Sequence, residues 1–154
     1  MTSAQTQTIT VGVTGASGAI FAQKTLALLE DDPRVTRVHL VVTETGLRLL
    51  AEELEITSGD LRQLPSRILG RASQKIECIS NKDVGASIAS GSYDVDAMIV
   101  VPCTMGALAA IANGTSDEPA GQTTEADGRC APSRLAAALR EAPSPAQPFR
   151  QCHP

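Results

Sequence analysis

Three observations predict an α/β fold in three layers, with helices on both faces of a parallel sheet. Near-continuous apolar runs recur between residues 8 and 102, most are followed by helix-periodic stretches, and two break directly into glycine-bearing turns. Such runs suit strands buried on both faces, which all-parallel sheets require. Right-handed crossovers then put every strand-to-helix turn on one edge of the sheet, where ligands bind. The arrangement is Rossmann-like, and its C-terminal part reads as incomplete.

Thr8–Thr14 (TITVGVT) is the first strand, and it breaks into Gly15-Ala16-Ser17-Gly18. The glycines allow close backbone approach, and a helix starting there aims its first N–H groups at a bound phosphate. Ser17 adds a hydroxyl that suits either a ligand or a plain helix cap. Ala19–Glu30 follows as a helix, with Ile20, Leu26, Leu28 and Leu29 as its apolar positions. Arg37–Thr43 is the second strand. Thr43 closes it at the carboxyl edge, where a threonine serves a ribityl or ribose group as readily as a turn. Gly46–Glu55 is the second helix, and its Glu52 and Glu53, taken alone, belong to a solvated face.

Lys75–Ser80 (KIECIS) reads as a short strand. Ala89-Ser90-Gly91-Ser92 is a small-residue loop, suited to a planar ring against the backbone or to a simple turn. Asp96–Pro102 (DAMIVVP) is a strong buried strand, and Thr104–Asn113 the helix after it. That helix opens with the Thr104 hydroxyl and Gly106 in its first turn, a second place for a ring or an anion. Gly114 serves as its C-cap, and Asn113–Asp117 forms a polar turn.

Bulk properties narrow the classes. A length of 154 residues suits one domain. A net charge of −4 without a basic block, and 2% aromatic residues, argue against nucleic acid as a partner. The polar start Met1–Gln7 and the lack of a long apolar run predict no signal peptide, no membrane span and a cytoplasmic location. Cys78, Cys103, Cys130 and Cys152 form no CxxC pair, so neither a metal site nor a disulfide framework is expected. Cys78 and Cys103 read as small buried thiols.

The chain divides at residue 117. Residues 118–154 contain no Val or Ile but six of the nine prolines, so they read as a poorly ordered tail after a ligand-binding domain over 1–117. Within the tail, Leu135–Glu141 is expected to form at most a helical turn or two.

Three blocks together carry a family resemblance: GVTGASGA at 12–19, LVVTETG at 40–46, and ASIASGSYDVDAMIVVPCTMGALAAIANGTSD at 86–117. In this order and spacing they resemble the UbiX-type flavin prenyltransferases, over residues 8–117. The resemblance implies a domain that binds reduced FMN, takes a dimethylallyl group from dimethylallyl phosphate, and closes a fourth ring on the flavin through N5 and C6. The prenylated FMN would serve a UbiD-type decarboxylase, with no metal, in a homo-oligomer that in this family is typically a dodecamer. By position, Gly15, Ala16, Ser17, Thr43, Thr104, Met105, Gly106 and Ala107 would contact FMN, and Ser90 would lie beside flavin and substrate. Glu53 would stand near the prenyl phosphate and manage a proton, given burial that raises its pKa. Ser17 would assist it.

The tail departs from the family pattern. Glu125-Ala126-Asp127 and Arg140-Glu141-Ala142-Pro143 echo two family elements, which carries catalytic roles over to Arg140 and Glu141. The family's lysine and the strand between these elements are replaced, and Tyr93 is not at the family's tyrosine position. The expectation is a shifted reading frame or a truncated remainder of the same domain. A coding sequence with no alternative frame restoring the family's tail would overturn it. Two other functions stay open: a catalytically silent FMN-binding module, and a relative of the flavin-dependent cysteine decarboxylases. The latter need an early histidine, and His39 lies inside a strand.

Overall fold

In a computed structural model, residues 6–56, 59–81 and 95–113 are described, together with the backbone of 135–139. β-Branched residues supply most of the strand positions: β1 is Gln7–Val13, β2 Val35–Val42, β3 Ile76–Ser80 and β4 Ala97–Cys103. A further strand, β5, runs over Leu135–Leu139. All pairings are parallel, in the order β3-β2-β1-β4-β5. The helices are α1 (Ala19–Asp31), α2 (Glu44–Glu53), α3 (Leu64–Leu69) and α4 (Met105–Asn113), with a short 3-10 turn at Leu61–Gln63.

Alternation sorts the strand side chains. Ile9, Val11 and Val13 of β1, with Val38, Leu40 and Val42 of β2 and Val101 of β4, form one core with α1, α2 and α3. The buried stripe of α1 is Ala19, Ala22 and Leu26, small enough at its start to bring the helix close to the sheet. Of the apolar positions read from the sequence, Leu29 is partly buried, while Ile20 and Leu28 are exposed. On the opposite face, Met98, Val100 and Cys103 pack against Ala107, Leu108 and Ile111 of α4.

Two features differ from the expectation. The stretch expected to form a helical turn, Leu135–Glu141, contains β5, paired in register Met98↔Leu135 to Val100↔Ala137. Backbone pairing to β4 outweighs the helix preference of an alanine-rich segment. The segment 61–69, which shows no clear period in sequence, carries Leu64 and Ile68 into the main core. The rest of 118–154, the loop containing Ser90, the Gly114–Asp117 turn, and Arg140 and Glu141 lie outside the described residues.

Candidate functional site

The direction of chain progression sets the location. From β1 the chain moves outward to β2 and β3, then returns to β4 on the other side of β1. The order therefore reverses between β1 and β4, and the crevice at their carboxyl ends is the natural ligand site of an open α/β sheet. The turns after β1, β2 and β4 all open there.

The first turn brings two of the expected residues, Ser17 and Glu53, into contact. Gly18 takes φ 117°, a left-handed conformation that favours glycine, and α1 begins directly after it. α1 has no acidic residue in its first turn and no side-chain cap of its own. Ser17, read as a possible cap, instead donates its hydroxyl to Glu53 Oε1 at 2.9 Å. The Glu53 carboxylate also accepts from Gly18 N at 3.2 and 3.1 Å and from Ala19 N at 2.7 Å. Glu53 is the last residue of α2. A negative charge is unfavourable at a helix C-terminus and favourable at an N-terminus, so the contact relieves one helix while completing the other. Among the described residues Glu53 is exposed, and its carboxylate is held by these hydrogen bonds. A reading of Glu53 as a solvated surface acid misses these contacts.

The second turn packs on the first. Thr43 caps α2, accepting from Gly46 N at 3.1 Å, and its hydroxyl lies 3.1 Å from that of Thr45. A Cβ on Gly15 would fall 2.6 Å from Thr45 Cβ, so glycine is what lets these turns touch. Ala16 is buried at the junction.

The third turn begins at Thr104, whose hydroxyl accepts from Ala107 N at 3.1 Å and caps α4. Beyond it Met105 is 51% exposed, and a Cβ on Gly106 would meet nothing within 4 Å. This is the open side of the crevice. Thr14, which no sequence motif marks, joins the third turn to the first. It donates its hydroxyl to Pro102 O at 2.8 Å and accepts from Thr104 N at 2.9 Å. The one available signal was Pro102, which lacks an N–H to continue the ladder.

His39 lies away from this rim. It is 2% exposed inside β2, opposite Thr10 of β1 and Glu77 of β3. Burial pushes its imidazole below the usual range, against the opposing pull of Glu77 and with a smaller contribution from Arg37. Burial likewise pushes the Cys78 thiol up to about 11 and raises that of Cys103, which makes both poor nucleophiles. Among the described residues no group of His, Cys, Asp and Glu side chains could hold a metal ion.

Comparison with known proteins gives three kinds of similarity. The sequence pattern of the family described as "Flavoprotein" matches residues 1–142. The flavin prenyltransferase UbiX of Halalkalibacterium halodurans is 38% identical over 107 residues, covering 70% of this chain and 51% of that protein. The chain thus spans about half the length of the curated relatives it matches. Among solved structures, AnUbiX (PadA1) in complex with FMN and dimethylallyl pyrophosphate superimposes with a TM-score of 0.69 at 30% identity, covering 90% of this chain and 67% of that one. A dodecameric FMN-dependent UbiX-like decarboxylase from Escherichia coli O157:H7 gives a TM-score of 0.72 at 28% identity, covering 89% and 68%.

Proposed function

Because this chain belongs to the flavoprotein family, we propose that it acts as a UbiX-type flavin prenyltransferase. In this reading it holds reduced FMN in the crevice between β1 and β4 and takes dimethylallyl phosphate as its second substrate. The observation that carries the proposal is the meeting of the three βα turns at that crevice, with Glu53 on Ser17 at its edge. The similarity of the chain to AnUbiX (PadA1), solved with FMN and dimethylallyl pyrophosphate, supports the same assignment.

The residues present fit such a cofactor. Gly15, Ala16 and Thr43 offer a close-packed wall, and Thr104, Met105, Gly106 and Ala107 a more open side, where Gly106 carries no Cβ to obstruct a flat ring. The flavin would supply the electron-rich ring that accepts the allylic group as the phosphate leaves. Ser17 and Glu53 form a hydroxyl–carboxylate pair that can take up and return a proton at the Glu53 oxygens. Ser90, Arg140 and Glu141 are assigned to the site by resemblance alone. The same resemblance extends the proposal to a UbiD-type decarboxylase as recipient of the product and a homo-oligomer as the assembled form; the cytoplasm is its proposed location. Among the described residues, no helix is long and apolar enough to cross a membrane.

The test is reconstitution with FMN, reduction, addition of dimethylallyl phosphate and mass spectrometry of the extracted flavin. A flavin heavier by one five-carbon unit is the expected result. Bound but unmodified FMN would leave a silent binding module. No bound flavin would overturn the proposal at its base.

A further inference from the structure

The two turns that would hold the cofactor belong to strands 88 residues apart in sequence, yet a single side chain ties them. Thr14 is the residue immediately before Gly15, and it is 4% exposed. Its backbone N–H donates to Pro102 O at 3.1 Å, and its hydroxyl donates to the same oxygen at 2.8 Å. The hydroxyl oxygen also accepts from Thr104 N at 2.9 Å. Thr104 in turn starts α4, through its hydroxyl to Ala107 N at 3.1 Å and its carbonyl to Leu108 N at 3.0 Å.

Chemistry explains why a side chain is used here. The paired register of β1 and β4 ends at Gly12↔Val100, one further main-chain bond runs from Thr14 N–H to Pro102 O, and Pro102 itself has no N–H to return. The next donor from the β4 side is the amide of Thr104, and the group in reach is a hydroxyl that both donates and accepts. A threonine hydroxyl thus serves as the last rung between the strands at the point where the chain order reverses. The Thr104 amide is held on one side by Thr14, and the Thr104 side chain fixes the first turn of α4 on the other.

We infer that Thr14 is a positioning residue for the flavin site: its hydroxyl sets the spacing between the Gly15–Gly18 turn and the Thr104–Ala107 turn. The inference rests on the reading of these turns as the FMN site. Thr14 is not placed against the cofactor; it acts through Thr104. Removing the hydroxyl while keeping the side-chain volume frees the Thr104 amide and lets the two walls drift apart.

The experiment compares the full chain with Thr14→Val, Thr14→Ser and Ile68→Val. The last is a buried change in α3, away from the crevice, and reports the effect of lost core packing alone. FMN affinity is read by quenching of flavin fluorescence, the setting of the bound ring by its visible circular dichroism, and folding by urea denaturation. Thr14→Val is expected to weaken FMN binding at least tenfold and to alter the dichroism of the flavin that does bind. Thr14→Ser should restore both, and Ile68→Val should change neither. Thr14→Val binding within twofold of the unmodified chain overturns the inference. So does an equal loss in Thr14→Val and Ile68→Val, which would mark the effect as general destabilisation. An unmodified chain that takes up no FMN overturns the flavin-site reading, and this inference with it.

Discussion

The Glu53 carboxylate, at the end of α2, lies 2.7 Å from the Ala19 amide at the start of α1. It therefore acts as an N-cap supplied from another helix. Glu53→Ala is expected to cost about 1 kcal/mol, the usual loss when a helix N-cap acceptor is removed. Glu53→Gln keeps one acceptor oxygen and should cost less. Urea denaturation measures both, and an unchanged midpoint for the alanine variant would show that water replaces the carboxylate without loss. Under the proposed function, prenyl transfer should fall in both variants, because an amide cannot exchange the proton.

Two glycines at the site should respond to alanine in opposite ways. A Cβ on Gly46 would fall 2.6 Å from the Val13 carbonyl oxygen, a backbone atom that cannot swing aside. Gly46→Ala is expected to destabilise the fold by about 1–3 kcal/mol, the range for overpacking a filled site. Gly106 lies in α4 with open space around it, so Gly106→Ala should stabilise by up to about 1 kcal/mol through helix propensity. The same methyl would stand where the flavin ring is proposed to approach. A Gly106→Ala protein that is as stable or more so, yet binds FMN more weakly, is the expected result; unchanged binding would move the cofactor away from this turn.

His39 predicts a response to acid. Its folded-state affinity for a proton lies below the ordinary value of 6.5, so the unfolded chain protonates first. Stability is then fully present above about pH 6.5 and declines as the pH falls from there toward the folded pKa. Urea midpoints measured between pH 7.5 and 5.5 should fall, and fall less steeply in His39→Gln. An identical slope in the variant would assign the acid response to other groups.

What the sequence revealed and what it hid divide along a physical line. β1, β2 and β4 were legible because continuous apolar runs persist whatever surrounds them, and the glycine turns because their residue types are restricted locally. The contact of Glu53 with Ser17 spans 36 residues and depends on how α1 and α2 pack, which no local pattern encodes. Thr14 was hidden for a related reason: a threonine ending a β-rich run is ordinary until Pro102 is placed beside it. The segment 61–69 escaped because its helix is six residues long, with Pro65 in its first turn, too short to establish a period. Leu135–Leu139 misled because its composition favours helix, whereas the neighbouring β4 edge offers hydrogen bonds.

The strand order also governs the chronology of synthesis. Of the strands described, β1 is synthesised before the others, and β2 can pair with it only once residue 42 has emerged. Its other edge stays open until β4, ending at Cys103, has been made. β1 thus precedes the strand that closes its second edge by a long stretch of elongation, and a nascent chain halted in that interval would carry the side of the proposed crevice as a bare strand edge.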